Sequence, residues 1–310
     1  MKILVFTTLG KAERDQLKNG IKQNNEFFFK NDLTEDALIE ILLEADVILG
    51  NLPIKHLSNP LPQLKFWQLD SAGFDQYQTI DLNIPVANMG TFYAQRCAET
   101  IVGGVIAFYR GIHTLIRLQV EKKWIGGKIR QEIQSISDKK IVILGAGAIA
   151  LAAKEMLNGF GCTITLVARK NPNATIHSFN DLLKILPQTD AVINTLPGSA
   201  ENYVNETFIN AMKKGSIYAN VGRGNTTDEG ALISALTSGK IAGAILDVTE
   251  IEPLPSHSKL WDMDQVILTQ HSGGGDENEV QGKVNHFIKN VNKFQSGQQP
   301  EDLIALKRGY

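Results

Sequence analysis

Cysteine is nearly absent from the chain: Cys97 and Cys162 are the only two, far apart in sequence. That excludes a disulfide framework or a cysteine-based zinc site in practice, and it fits a reducing, cytoplasmic setting. An excess of charge of one sign is also lacking, because 31 Lys and Arg face 33 Asp and Glu for a net charge of -2. This balance gives no electrostatic footprint for nucleic acid or an anionic membrane. The longest apolar runs fall well short of the roughly 18 residues of a membrane span. The stretch 1–8 is too short for a secretory signal and lacks a small-residue cleavage site, so none is expected. No metal cluster, nucleophile elbow, serine triad pattern, internal repeat or low-complexity tract is visible. What remains is a 310-residue chain with 43% apolar and 21% charged residues, enough for a sizeable core and long enough for two domains.

Strand-like and helix-like segments alternate. Residues 3–6, 27–29, 47–49 and 66–69 are short apolar runs of strand length. Between them, 11–19 is helix-compatible, and 34–45 carries Ala37, Leu38, Ile41, Leu42 and Ala45 on one helix face. Alternation of this kind predicts a parallel α/β sheet in a first, smaller lobe over 1–90. The turn-poor stretch 99–120 predicts one long helix, either core alone or core and subunit interface. Trp124 opens a polar arm running to 138 and is a candidate to approach a partner's pocket. A second α/β unit begins at Lys140, with strands at 141–144, 164–167, 191–193, 216–221, 241–247 and 266–269. Residues 148–160 form a helix between the first two. The tail, 279–295, has helical spacing and is expected to pack back across the lobes.

Gly145-Ala146-Gly147-Ala148-Ile149-Ala150 follows a strand and opens a helix, as a G-x-G-x-x-G/A dinucleotide fingerprint requires. The first glycine permits the tight turn. The second lets backbone N–H groups approach a pyrophosphate, and a methyl is tolerated at the third position. The helix N-terminus adds partial positive charge beneath Ala148 and Ile149. An NAD site usually places an Asp or Glu about 20 residues on, against the ribose 2′-hydroxyl. Here the second strand ends Val167-Ala168-Arg169-Lys170-Asn171, with two cations and no carboxylate. A 2′-phosphate needs cationic donors, so NADP(H) is expected over NAD(H).

Three polar residues stand after apolar strands in the second half: Arg223 in Val221-Gly222-Arg223-Gly224, Glu252 in Glu252-Pro253, and His271 in Thr269-Gln270-His271. In an open parallel sheet ligands bind outside the carboxyl ends of the strands, so one crevice can collect all three. With the Gly145 fingerprint, Leu196-Pro197, Leu246-Asp247-Val248, Leu260-Trp261 and Ser71-Ala72-Gly73-Phe74-Asp75, these motifs make the chain resemble the D-isomer-specific 2-hydroxyacid dehydrogenase family. The likeness covers most of the chain and is strongest over 140–275. Departures are Gln270 where proline is usual, Ala150 for the third glycine, and the missing acidic ribose ligand. Of these, only the last alters the expected function.

The resemblance implies two α/β lobes with a cofactor cleft between them. A Rossmann-type doubly wound dinucleotide domain (91–278) would be inserted in a smaller flavodoxin-like substrate domain (1–90 plus 279–310). It implies that Arg223 holds the substrate carboxylate and polarises the carbonyl, and that His271 is the proton donor in reduction and acceptor in oxidation. Glu252 would orient the imidazole and favour its charged form. Ala72 and Gly73 would bind the carboxylate through backbone N–H groups. Asp247 would lie near the nicotinamide, with Leu196, Pro197 and Val221 along the cofactor. The implied reaction is NADPH-dependent reduction of a small 2-keto acid, such as glyoxylate or hydroxypyruvate, by a homodimer built on the cofactor domain. Phosphite oxidation and dinucleotide sensing without turnover remain open on the same fold. Glu252, where the family's formate enzymes carry Gln, argues against formate. The chain length leaves no room for the regulatory domain of many phosphoglycerate dehydrogenases.

Overall fold

The computed structural model describes residues 1–22 and 24–309. Two compact units result: Met1–Tyr93 with Asp276–Tyr310, and Ala94–Gly275. In chain order the strands are β1 (Lys2–Val5), β2 (Glu26–Phe29), β3 (Val47–Leu49), β4 (Phe66–Gln68), β5 (Val86–Ala87), β6 (Lys140–Leu144), β7 (Thr163–Val167), β8 (Ala191–Asn194), β9 (Ser216–Asn220), β10 (Ile241–Leu246), β11 (Val266–Leu268) and β12 (Leu303–Ile304). The α-helices are α1 (Lys11–Gly20), α2 (Glu35–Glu44), α3 (Gly90–Tyr109), α4 (Ile112–Val120), α5 (Ala148–Asn158), α6 (Phe179–Ile185), α7 (Glu206–Ala211), α8 (Glu229–Thr237) and α9 (Glu279–Gln295).

The first unit has the sheet order β12-β5-β4-β3-β1-β2. Its strands are parallel except β12, which runs antiparallel to β5. The five parallel strands follow the flavodoxin-like order 2-1-3-4-5. Helices cover both faces, which explains why β1 and β3 read as unbroken apolar runs rather than alternating ones. Ile3, Val47 and Phe66 pack with Leu17 of α1 and Phe287 of α9 on one face. Leu4, Ile48 and Trp67 pack with Leu38 and Leu42 of α2 on the other.

The second unit has the order β11-β10-β9-β8-β6-β7, every pair parallel. Counted from β6 this is 2-1-3-4-5-6, a doubly wound sheet whose order reverses between β6 and β8. Such a reversal opens a crevice at the carboxyl ends of the strands. Ile141, Ile143, Ile193 and Ile245 pack with α3 and with Ala150, Ala153 and Leu157 of α5. Val142, Leu144, Tyr218 and Leu246 pack with Leu182 of α6, Phe208 of α7 and Leu232 of α8. Ala150, at the third fingerprint position, is fully buried, so its methyl is part of the helix–sheet packing.

The expected single helix over 99–120 is two helices. The chain enters α3 at Gly90, leaves it at Tyr109, and turns at Gly111 in the left-handed region (φ +65°). α4 then sets off at 73° to α3. The apolar composition on both sides concealed the break. Among the described residues no single helix is long and apolar enough to cross a membrane; this bent pair passes such a test only jointly. The two-residue strands β5 and β12 are too short to produce a periodicity and escaped the sequence reading.

Candidate active site

The loop after β6 begins at Gly145, whose φ of +113° only glycine adopts readily. Its N–H donates to the Val167 carbonyl (2.8 Å), and a Cβ would lie 2.4 Å from Thr195 Oγ1. At Gly147 a Cβ would meet nothing within 4 Å, so this backbone faces open space. Ser178, Asn205 and Asp228 cap α6, α7 and α8 with their side chains, whereas no side chain caps α5. An uncapped helix N-terminus behind an open glycine suits an anionic diphosphate, and the dinucleotide fits here on that ground. Arg169 and Lys170 are exposed beyond β7. Asn171 returns its side-chain amide to the Ala146 carbonyl (2.9 Å) and so ties this cationic segment to the glycine loop.

Two asparagines that the sequence reading passed over hold the neighbouring loops. Asn194 and Asn220 are register partners at the ends of β8 and β9, and both are buried. Asn194 Oδ1 accepts from the N–H of Leu196 (2.9 Å), and Asn220 Oδ1 from that of Gly222 (2.9 Å). Each is an Asx turn that closes its strand. Asn194 Nδ2 donates to Tyr218 Oη and Thr226 Oγ1, both at 2.8 Å. Asn220 Nδ2 donates to the Arg223 carbonyl (3.2 Å) and Thr227 Oγ1 (3.3 Å). Thr226 Oγ1 also donates to the Arg223 carbonyl (2.6 Å). The backbone at Arg223 is thereby fixed by a buried polar network, while Val221 is buried beside it. One signal was available: a polar residue ending an otherwise apolar buried strand must find partners.

Arg223 itself is half-buried, and its Nη1 donates to the Gly222 carbonyl (2.8 Å). The next residue, Gly224, lies flat against the following loop: a Cβ there would fall 1.8 Å from the Thr249 carbonyl oxygen. Close approach at Gly224 joins the Arg223 loop to the loop that carries Glu252.

Glu252 and His271 meet directly. His271 Nδ1 donates to Glu252 Oε2 at 2.5 Å, and the other carboxylate oxygen accepts from the Thr249 N–H (3.0 Å). The carboxylate is thus oriented by its own loop. Asp247 orients the imidazole's loop. Its Oδ1 accepts from Thr269 Oγ1 (2.6 Å), Ser272 N (3.1 Å) and Gly273 N (2.9 Å), and its carbonyl accepts from His271 N (2.5 Å). With 4% exposure, this carboxylate is a buried clamp, a structural task the motif did not reveal. The clamp holds two non-glycine residues in the left-handed region, Gln270 (φ +55°) and His271 (φ +54°). A proline is locked near φ −65°, so the Gln270 departure has a local consequence: this backbone is closed to the residue usual in the family.

Cys97, on α3, feels both Asp247 and Arg223. Burial pushes its thiol up to about 11, Asp247 adds to the shift and Arg223 opposes it. Burial likewise raises the Tyr218 phenol, keeping it neutral inside the asparagine network. In the other unit, Ala72 and Gly73 follow β4. Ala72's carbonyl accepts from Asn88 Nδ2 (2.7 Å) and Gly73's from Ser71 Oγ (2.7 Å). The Asp70 N–H donates to Asn51 Oδ1 (3.3 Å) and completes this loop's anchoring.

A doubly wound sheet with a dinucleotide loop and a carboxylate-held imidazole at its strand ends defines a nicotinamide-type oxidoreductase scaffold. Residues 102–273 match the family model of the D-isomer specific 2-hydroxyacid dehydrogenase NAD binding domain. A probable 2-ketogluconate reductase from Dictyostelium discoideum is 30% identical over 87% of this chain and 85% of its own length. Glyoxylate/hydroxypyruvate reductase B from Serratia proteamaculans is 29% identical, covering 87% of both chains. Among solved structures, an NADPH-dependent glyoxylate/hydroxypyruvate reductase from Sinorhizobium meliloti, in complex with NADP and sulfate, aligns with a TM-score of 0.82. It is 21% identical and covers 100% of this chain and 99% of that one. The chain belongs to the D-isomer specific 2-hydroxyacid dehydrogenase family, and its activity is that of a nicotinamide-dependent oxidoreductase.

Proposed function

We propose that the chain is an NADP(H)-dependent reductase of small 2-keto acids of the glyoxylate or hydroxypyruvate type, yielding the D-2-hydroxy acid. The observation that carries the chemistry is the 2.5 Å contact between His271 and Glu252 in the loop cluster that also holds Arg223. When bound, the reduced nicotinamide supplies the hydride for the substrate's C2. The chain's residues do the rest. The Arg223 guanidinium pairs with the substrate carboxylate and polarises the carbonyl. Nδ1 of His271 is engaged by Glu252, so Nε2 is the atom that delivers a proton to the carbonyl oxygen. Glu252 stabilises the imidazolium before transfer and holds the ring's orientation afterwards. In oxidation the same Nε2 takes the proton back. Backbone N–H groups of Ala72 and Gly73 are proposed as carboxylate donors. Gly145, Gly147, Ala148 and Ile149 are proposed to hold the diphosphate, Leu196, Pro197 and Val221 to line the nucleotide, and Asp247 to stand near the nicotinamide.

The NADP preference rests on Arg169 and Lys170 standing where an acidic ribose ligand would otherwise be. The NADP complex of the Sinorhizobium meliloti reductase supports it. A cytoplasmic homodimer completes the proposal. The α4 face of Ile112, Leu115, Ile116 and Val120 is exposed, and Trp124 beyond it is 96% exposed, which supports an apolar interface. Steady-state reduction of a 2-keto acid panel with both cofactors tests the reading. The expected result is turnover of glyoxylate or hydroxypyruvate with a higher kcat/KM for NADPH. An NADH preference overturns the cofactor proposal. Tight dinucleotide binding with no turnover overturns the reductase proposal in favour of a sensor.

A further inference from the structure

Two successive carbonyls in the loop after β4 are held by one segment of the chain, Asn88-Met89, which follows β5 directly. The Ser71 carbonyl accepts from the Met89 N–H (3.0 Å), and the Ala72 carbonyl accepts from Asn88 Nδ2 (2.7 Å). A trans peptide is planar, and its C=O points opposite to the N–H of the following residue. Both peptides here are trans. Holding the two carbonyls against 88–89 therefore turns the Ala72 and Gly73 N–H groups away from that segment. Neither N–H has a hydrogen-bond partner among the described residues, and both residues are half-buried. Adjacent N–H groups left unpaired by the fold in this way make a concavity suited to an anion.

Asn88 is buried and is itself held at each of its polar atoms. Its Oδ1 accepts from the Gly90 N–H (3.0 Å), an Asx turn that leads into α3. Its N–H donates to the Asp302 carbonyl (3.1 Å), and its carbonyl accepts from Gln68 Nε2 (2.9 Å). Gln68 Oε1 in turn accepts from Asn290 Nδ2 of α9 (2.7 Å). Asn290 also grips the C-terminal segment, accepting from the Glu301 N–H (2.8 Å) and donating to the Glu301 carbonyl (3.1 Å). Gln68 and Asn290 are fully buried, so water does not loosen this chain of contacts. Residues 301–302 and α9 thus fix Asn88, and Asn88 fixes Ala72. We propose that Asn88 is a positioning residue for substrate binding: its amide, by holding the Ala72 carbonyl, aims the Gly73 N–H at the substrate carboxylate. This rests on the reading of Ala72 and Gly73 as carboxylate donors given above.

Two variants separate the reach of the amide from the Asx turn. Asn88→Asp keeps the acceptor for Gly90 and loses the donor to Ala72. Asn88→Ser keeps the turn in a weaker form, has no amide to reach Ala72, and places no charge in a buried position. Reduction of hydroxypyruvate by NADPH, dinucleotide Kd and thermal melts would be measured on the full chain; if the buried charge prevents Asn88→Asp from folding, Asn88→Ser decides alone. The expected result is a KM for the keto acid about tenfold higher in either variant, about the worth of one hydrogen bond to a charged group. The turnover number kcat is expected to stay within about threefold of wild type, the pattern of lost uniform binding. Dinucleotide Kd is expected to hold, because the Gly145 loop belongs to the other unit. A merely structural Asn88 would act through the turn into α3, so KM would be normal in variants that keep the turn and only Tm would fall; that result overturns the proposal. A fall in kcat with KM unchanged overturns it as well. No keto acid turnover by the wild type is a separate outcome: it refutes the reductase reading, and this proposal with it.

Discussion

Replacing Asn220 by alanine removes one side chain and three hydrogen bonds, to Gly222 N, Arg223 O and Thr227 Oγ1. The site is 1% exposed, so water does not substitute for the lost partners. The three bonds contribute about 1 kcal/mol each net, which places the loss near 3 kcal/mol. For a unit of this size each kcal/mol lowers Tm by about 2–4 °C, giving a drop of about 6–12 °C. The kinetic effect is directional. Asn220 fixes the Arg223 loop, so Asn220→Ala lowers kcat/KM for the keto acid while dinucleotide Kd changes little. Asn194→Ala acts on the Leu196–Pro197 loop instead and weakens the dinucleotide first. Calorimetric melts together with substrate and cofactor titrations read both effects. A Tm within about 2 °C of wild type, with unaltered kinetics, refutes the claim that this network sets the Arg223 loop.

Three further outcomes follow from individual contacts. Glu252→Gln keeps a polar partner for His271 Nδ1 but no charge, so kcat for reduction falls by about 10–100-fold with dinucleotide Kd nearly constant; an unchanged kcat contradicts the pairing role. Cys97, its thiol pushed to about 11, has about a hundredth of the thiolate of an ordinary cysteine, and alkylation followed by mass spectrometry at mildly alkaline pH finds it correspondingly slow; rapid labelling contradicts its burial. Lys289 and Lys293 hold the Glu301 carboxylate down to about 2, so its contribution to stability is present above its ordinary 4.5 and is lost as pH falls through about 2. The pairs are surface-exposed and screened, which keeps the effect below about 1 kcal/mol; Glu301→Gln melts slightly lower than wild type at neutral pH and equal to it at the acid end.

Apart from the two-residue β5 and β12, the strands of both sheets were legible because they lie under helices on both faces and so appear as short contiguous runs of Val, Ile, Leu and Phe. The Gly145 loop was legible because its glycines have a steric reason. The turn at Gly111 was not: largely apolar helix-compatible stretches lie on both sides of it, and Gly103 and Gly104 nearby are accommodated inside α3. The bridge at Ile176 was also hidden, since one rung beyond an edge strand leaves no periodic trace. The asparagine pair was missed because its meaning lies in the register of β8 against β9, which no local pattern encodes. Asp247 was found as a motif residue, but its grip on the His271 backbone is a long-range contact. What the sequence reading left out are the residues that hold the site loops in place, Asn194, Asn220 and the Asp247 clamp.

The most direct test of the central claim compares wild type with His271→Ala in reduction of hydroxypyruvate by NADPH, with dinucleotide Kd measured in parallel. The account predicts robust reduction by the wild type, a fall in kcat of at least about 10² in the variant, and Kd values that agree within a few-fold. A variant that reduces the keto acid at the wild-type rate would contradict it.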